Sequence, residues 1–152
     1  MKELYITKSD LETQKLGREL AKIILKAKSR KGAFVIGLEG DLGGGKTTFL
    51  QGFAGGLGIK EKILSPTFVI MKKFAVKSRN YKWFYHIDCY RIQKPEELLD
   101  IGLNEVISSP ENIVAIEWSE RVKSVLPENI LKIKFDFIDD KKREIKIFPR
   151  HD

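Results

Sequence analysis

Residues 40–47 read Gly40-Asp41-Leu42-Gly43-Gly44-Gly45-Lys46-Thr47 and follow directly on the apolar run Ala33-Phe34-Val35-Ile36-Gly37-Leu38. A short, nearly continuous apolar run suits a central strand covered on both faces. Downstream, Phe49, Leu50, Phe53 and Ala54 recur at helical spacing until Gly55-Gly56 and Gly58, which predicts a helix from Lys46 to about Gly55. Strand, glycine loop and helix in that order are the setting of a phosphate-binding P-loop. Its backbone must turn sharply while aiming consecutive N–H groups at a phosphate, and side chains would obstruct that approach. Lys46 then supplies a mobile charge for the β and γ phosphates, and the Thr47 hydroxyl can ligate Mg²⁺. Thr48, in the first turn of the helix, can donate on the α-phosphate side, where the helix dipole adds positive potential. The bland alternative, a glycine-rich structural turn, is weakened by the strand before and the helix after.

Working outward, Ser9-Asp10-Leu11-Glu12 reads as a capping box with Ser9 as N-cap and Glu12 reaching back to its amide. Leu16, Leu20, Ile23, Ile24 and Ala27 then predict an apolar helix face packed on a sheet, ending at the basic loop from Lys28 to Gly32. After the P-loop helix, Thr67 to Phe74 and Tyr81 to Ile87 read as a long hairpin. Pro95-Glu96-Glu97-Leu98-Leu99 looks like a first helical turn with proline at its first position. Asn112 to Ile116 is a further buried strand leading into Glu117-Trp118, and Ile130 to Phe137 with Arg143 to Phe148 predict a terminal hairpin. Strands alternating with helices give an α/β fold.

The chain has 152 residues, 42% of them apolar and 32% charged, enough for one compact core, so residues 1–152 are expected to form a single domain. A net charge of +7 suits a partner bearing phosphates, although solubility is an equally good reason for it. Cys89 is the single cysteine and has no partner for an intramolecular disulfide. The start Met1-Lys2-Glu3-Leu4-Tyr5 lacks the apolar stretch of a signal peptide, and no run approaches bilayer length. A cytoplasmic location is therefore expected, with no membrane partner.

Hydrolysis needs carboxylates near the metal to hold it and to orient a water. Asp88 ends the strand Trp83-Phe84-Tyr85-His86-Ile87, and Glu117 ends the strand Ile113-Val114-Ala115-Ile116. Ligands in open α/β sheets collect at strand C-termini, so both can face the P-loop; a solvated carboxylate at a strand end is the plain alternative for either. Ser65-Pro66-Thr67 offers a hydroxyl where switch loops sense a γ phosphate, or is merely a turn. His86 and Cys89 flank Asp88 but lack companions at ligand spacing, which favours packing roles. Thr7-Lys8-Ser9-Asp10 matches a guanine-recognition element literally, yet it precedes the P-loop and its Ser9 is a helix cap, so adenine is favoured.

These residues together resemble the TsaE (YjeE) family of small bacterial ATPases. The resemblance rests on Gly40 to Thr48, Ser65-Pro66-Thr67, His86-Ile87-Asp88-Cys89-Tyr90-Arg91, Pro95-Glu96-Glu97-Leu98, Glu117-Trp118, Glu120-Arg121 and Leu126-Pro127, and spans residues 9 to 148. It implies a P-loop NTPase fold with a central mixed β-sheet flanked by helices. It also implies ATP with Mg²⁺ as ligands, TsaD and TsaB as partners, and tRNA reached indirectly through their complex in threonylcarbamoyladenosine modification next to the anticodon. By the same resemblance Lys46, Asp88 and Glu117 are the catalytic positions. The metal falls on Thr47 and Glu117, with Asp88 as a water-orienting or second carboxylate. The nucleotide would contact Gly40, Asp41, Leu42, Gly43, Gly44, Gly45, Lys46, Thr47, Thr48, Thr67, Trp118 and Arg143, with Thr13 and Leu16 as a possible adenine wall. Gly44 stands where alanine is usual, and Cys89 and Ser119 replace leucine and proline; none of the three has a phosphate or metal role.

Two other functions fit parts of the chain. A small-molecule kinase would share the P-loop but usually adds an arginine-rich lid, whereas Arg91 and Arg121 are isolated in sequence. An RNA-binding module would use Lys72, Lys73, Lys77, Arg79 and Lys82 with Tyr81 and Trp83, through phosphate contacts and base stacking.

Overall fold

The structure is a computed structural model that describes residues 2–28, 31–40, 45–64 and 70–150. The described residues form seven strands and four α-helices. They are β1 (Glu3–Thr7), α1 (Asp10–Lys26), β2 (Phe34–Gly40), α2 (Lys46–Gly56), β3 (Met71–Ala75), β4 (Trp83–Asp88), α3 (Glu97–Asp100), α4 (Leu103–Ser108), β5 (Asn112–Glu117), β6 (Leu131–Phe137) and β7 (Arg143–Phe148), with a 3₁₀ segment at Ser119–Val125 before β6. The strands form one mixed sheet in the order β1-β7-β6-β2-β5-β4-β3. Its centre, β6-β2-β5-β4, is parallel, and antiparallel pairs flank it on both sides. The parallel strands therefore all deliver their C-terminal ends to one edge, where Gly40, Asp88 and Glu117 stand.

Alternation along the strands sends side chains into two cores. Ile36, Leu38, Phe84, Ile113, Ala115, Ile133 and Phe135 meet α1 and α2 on one face. Val35, Ile87, Val114 and Ile116 meet Leu98, Leu103, Val106 and Val122 on the other. All six residues of β5 are buried, in keeping with its apolar run. The P-loop helix buries Phe49, Leu50, Phe53 and Ala54, the face its sequence predicts, and Phe49 meets Phe135 edge-on at 5.4 Å between ring centroids.

Four expectations need correction. Leu16, Leu20 and Ile24 pack on the core as expected, but α1 meets α2 through small residues, so its buried positions are Thr13, Gly17, Ala21 and Ile24, while Ile23 is 64% exposed and Ala27 is also exposed. The close approach is backbone to backbone: a Cβ on Gly17 would lie 2.2 Å from the Phe49 carbonyl oxygen, and one on Gly52 only 1.9 Å from that of Gln14. The Glu12 carboxylate accepts from the amide of Lys8 at 2.9 Å, not from that of Ser9, whereas Ser9 Oγ accepts from the Glu12 amide as expected. Pro95 lies one residue before the N-cap Glu96 of α3, and the Glu97 carboxylate accepts from the amides of Gln93 and Lys94 to close that turn. Thr13 is buried, bonding Thr7 Oγ1 at 2.7 Å and the Ser9 carbonyl, so it does not wall an open pocket. Two features lack a sequence signal of their own: the edge strand β1, whose first four residues are exposed, and the six-residue α4. No helix among the described residues is long and apolar enough to cross a membrane.

Candidate functional site

The three strand ends and the N-terminus of α2 build one site. β2 runs parallel between β5 and β6, and its last residue, Gly40, has φ +131°. A Cβ there would lie 2.2 Å from the Phe135 carbonyl oxygen, so only glycine lets β2 leave the sheet at this point. Gly45, the N-cap of α2, has φ +99°. Lys46 follows, almost fully buried, with its Nζ donating to the Gly40 carbonyl and lying 4.0 Å from the centroid of the Trp118 ring. Asp41, Leu42, Gly43 and Gly44, and with them Ser65, Pro66 and Thr67, lie outside the described residues.

Asp88 and Glu117 are direct partners in the β4–β5 register, both buried, at the edge where α2 begins. Glu117 is held at both of its oxygens. One oxygen accepts from Thr47 Oγ1 at 3.3 Å, and the other lies 2.6 Å from His86 Nε2. His86 stands two residues before Asp88, so the strand period places both on the α2 face of the sheet. Asp88 Oδ1 accepts from the amide of Tyr90 at 3.0 Å, a turn that directs the chain away from β4. Among the described residues no three His, Cys, Asp or Glu side chains cluster as a metal cage of their own.

Trp118, one residue beyond β5, has φ 60° and ψ 41°. A bulky side chain in that left-handed region is strained and is held there by its surroundings. Its ring meets Tyr90 at 5.2 Å and carries the Arg121 guanidinium at 4.9 Å, and Arg121 also donates to the Tyr90 carbonyl. Arg121, isolated in sequence, is thus part of the wall that holds Trp118 over Lys46. Glu120 accepts from the Gly40 amide at 3.2 Å; burial raises its pKa above the usual carboxylate value, against that bond. Cys89 has the packing role its sequence suggests: burial, followed by the charge of Asp88 and Glu117, pushes its thiol up to about 12. His86 does more than pack, because its ring is tied to Glu117.

Arg143 begins β7, three strands from β5, yet it comes back to the α2 end. A Cβ on Gly45 would sit 3.5 Å from Arg143 Cγ and Nε. Its Nη1 donates to the carbonyls of Asp139 and Lys142, and its buried Nε has no hydrogen-bond partner among the described residues. Thr48 sits in the first turn of α2. Gly40, Gly45, Lys46, Thr47, Asp88, Glu117, Trp118 and Arg143 therefore share one region. Of the two hairpin aromatics considered for RNA stacking, Tyr81 is fully buried with its hydroxyl donating to the Ala27 carbonyl, and the half-buried Trp83 carries the Lys73 ammonium 3.8 Å from its ring centroid.

Sequence comparison agrees with this architecture. The profile of the family described as "Threonylcarbamoyl adenosine biosynthesis protein TsaE" matches residues 7–145. The chain is similar to the tRNA threonylcarbamoyladenosine biosynthesis protein TsaE of Haemophilus influenzae, 36% identical over 126 residues that cover 83% of this chain and 77% of the relative. It is likewise similar to the protein of that name from Treponema pallidum, 34% identical over 142 residues covering 93% and 97% of the two chains. The crystal structure of YdiB from Bacillus subtilis superposes with a TM-score of 0.77 at 30% identity, covering 99% of this chain and 87% of that one. The fold is that of a P-loop NTPase, and the chain belongs to the TsaE family.

Proposed function

We propose that this protein binds ATP with Mg²⁺ at the N-terminal end of α2 and hydrolyses it in support of tRNA threonylcarbamoyladenosine biosynthesis, with TsaD and TsaB as partners. Family membership supports the pathway. The observation that carries the chemistry is the Thr47–Glu117 pair beside Lys46, one hydroxyl and one carboxylate at the N-terminal end of a helix, where the first amides have no partner within the helix itself.

The residues present fit both groups. Thr47 and Glu117 offer hard oxygen donors, and a Mg²⁺ site with so few protein ligands relies on phosphate oxygens and water for the rest. Arg143 has a buried Nε beside Gly45 with no partner among the described residues, a donor suited to phosphate. When bound, Mg²⁺ neutralises charge on the phosphate oxygens. Lys46 exchanges its hold on the Gly40 carbonyl and the Trp118 face for the β and γ phosphates, and the α2 amides orient them. Asp88, one strand over from Glu117, accepts a hydrogen bond from the attacking water and so aims it. Asp41, Leu42, Gly43 and Gly44 complete the phosphate cradle in this reading, and Thr67 and Thr48 add hydroxyl contacts.

Hydrolysis then resets or activates the transferase complex that modifies the adenosine next to the anticodon, and this chain reaches tRNA only through that complex, in the cytoplasm. The isolated protein turns over slowly. The test is phosphate release from ATP with and without TsaD and TsaB. Stimulation by those proteins, and a loss of about a hundredfold or more in Lys46→Ala and Glu117→Ala, are expected. Turnover that responds to a small metabolite and ignores both proteins would replace this reading with a kinase.

A further inference from the structure

We infer that His86 is a positioning residue for the metal site: its imidazole holds the Glu117 carboxylate in the orientation that Mg²⁺ requires. The inference rests on the reading above that Thr47 and Glu117 hold the metal.

The geometry points to it in three steps. Both side chains are withdrawn from water, His86 at 1% and Glu117 at 3% exposure, so neither carboxylate oxygen can be satisfied by bulk solvent. Removing a carboxylate from water is costly unless hydrogen bonds replace hydration. His86 Nε2 supplies one such bond at 2.6 Å, short enough to be charge-assisted, and Nε2 donates because a carboxylate offers lone pairs. The two oxygens of Glu117 also have separate partners: His86 takes Oε2, while Oε1 faces Thr47 Oγ1, the other proposed ligand. Turning the carboxylate would break the His86 bond, so that bond keeps the other oxygen directed at Thr47. Finally, the neighbouring strands fix the pair. β4 and β5 are adjacent and parallel with His86 opposite Ala115, two residues before Glu117, so both side chains leave the same sheet face one pleat apart. Pinning a ligand through an atom that does not face the metal is how outer partners raise metal affinity, typically by tenfold to a hundredfold.

The experiment measures binding of the non-hydrolysable analogue adenylyl imidodiphosphate by calorimetry, in excess Mg²⁺ and in EDTA, for wild type, His86→Leu, His86→Gln and His86→Asn. A glutamine amide reaches as far as Nε2 and an asparagine amide stops short. Wild type should bind more tightly with Mg²⁺. His86→Leu and His86→Asn should lose about tenfold or more of that gain while their affinity in EDTA stays at the wild-type value, and His86→Gln should recover most of it. Two results overturn the inference: a full Mg²⁺ gain in His86→Leu, or equal weakening in Mg²⁺ and EDTA, which is the mark of a merely structural role. Should His86→Leu fail to fold, the Gln and Asn variants decide, since equal Mg²⁺ gains in the two leave no role for the reach of the donor. Absence of any Mg²⁺ gain in wild type would instead sink the metal reading of Thr47 and Glu117.

Discussion

Trp118 is the only non-glycine residue among those described with a positive φ, and it stands directly after Glu117. Strain of that kind persists where neighbours over-determine the conformation. Here Tyr90, Arg121 and Lys46 all contact the ring. The Glu117-Trp118 dipeptide is legible as a strand end, but its conformation is not, because the residues that hold it come from 28 and 72 positions upstream and from the following turn. Cys89 offers a sharper test of burial. With its thiol pushed up to about 12, only about one molecule in ten thousand carries the thiolate at pH 8, and the sulfur is fully buried as well. Native protein should leave Cys89 unmodified by Ellman's reagent over the minutes in which guanidinium-unfolded chain reacts completely. Rapid one-to-one reaction of the native protein would contradict the buried placement.

At the level of elements, the α1–α2 pair shows how a helix face can be misread. Counting apolar residues at three and four spacing selects Ile23 and Ala27, but the interface is made where side chains are missing. Gly17 admits the backbone of α2, while Gly52 and Gly56 admit that of α1. The i, i+4 spacing of Gly52 and Gly56 is visible in the sequence, yet it signals a close approach only once a second helix is known to cross there. Gly52→Ala places a methyl against the Gln14 carbonyl and should cost about 1–3 kcal/mol in urea unfolding. Gly55→Ala meets nothing within 4 Å and should instead stabilise α2 by a few tenths to about 1 kcal/mol, separating crowding from helix propensity. The Thr7–Thr13 bond ties β1 to α1 in a buried setting. Thr13→Val alone should cost about 1–3 kcal/mol, and adding Thr7→Val should recover part of that loss, because an orphaned hydroxyl is worse than an absent pair. A double-mutant cycle in which the two costs simply add would show the pair to be uncoupled.

Across the whole molecule, stability should follow position in the sheet. β5 is covered on both faces and paired on both sides, by β2 and β4, whereas β1 and β3 are edges and β1 is largely exposed. Native-state hydrogen exchange should find β5 amides slowest, near the global unfolding limit, and the unpaired amides of β1 fastest among strand residues. Uniform protection across β1 and β5 would argue against that gradient. The same arrangement gives the site its character. Asp88 and Glu117 sit at the C-terminal ends of β4 and β5, both paired on two sides, so the carboxylates proposed for catalysis are carried by the centre of the sheet, and Lys46 is brought near them by the helix that follows β2.

The P-loop setting, the α/β class, the apolar faces of β2, β5 and α2, and the terminal hairpin were determined by local sequence alone, because each depends on short-range periodicity or on glycine and lysine at fixed spacing. Tertiary structure decided the rest: that β5 inserts between β2 and β4 and sets Glu117 beside Asp88, that Arg143 reaches Gly45 from the far end of the chain, and that the buried His86 is also the partner of Glu117. Those contacts join residues 29 to 98 positions apart, and no local pattern encodes which strands become neighbours. Strand order is settled by burial of both sheet faces at once, a property of the assembled chain.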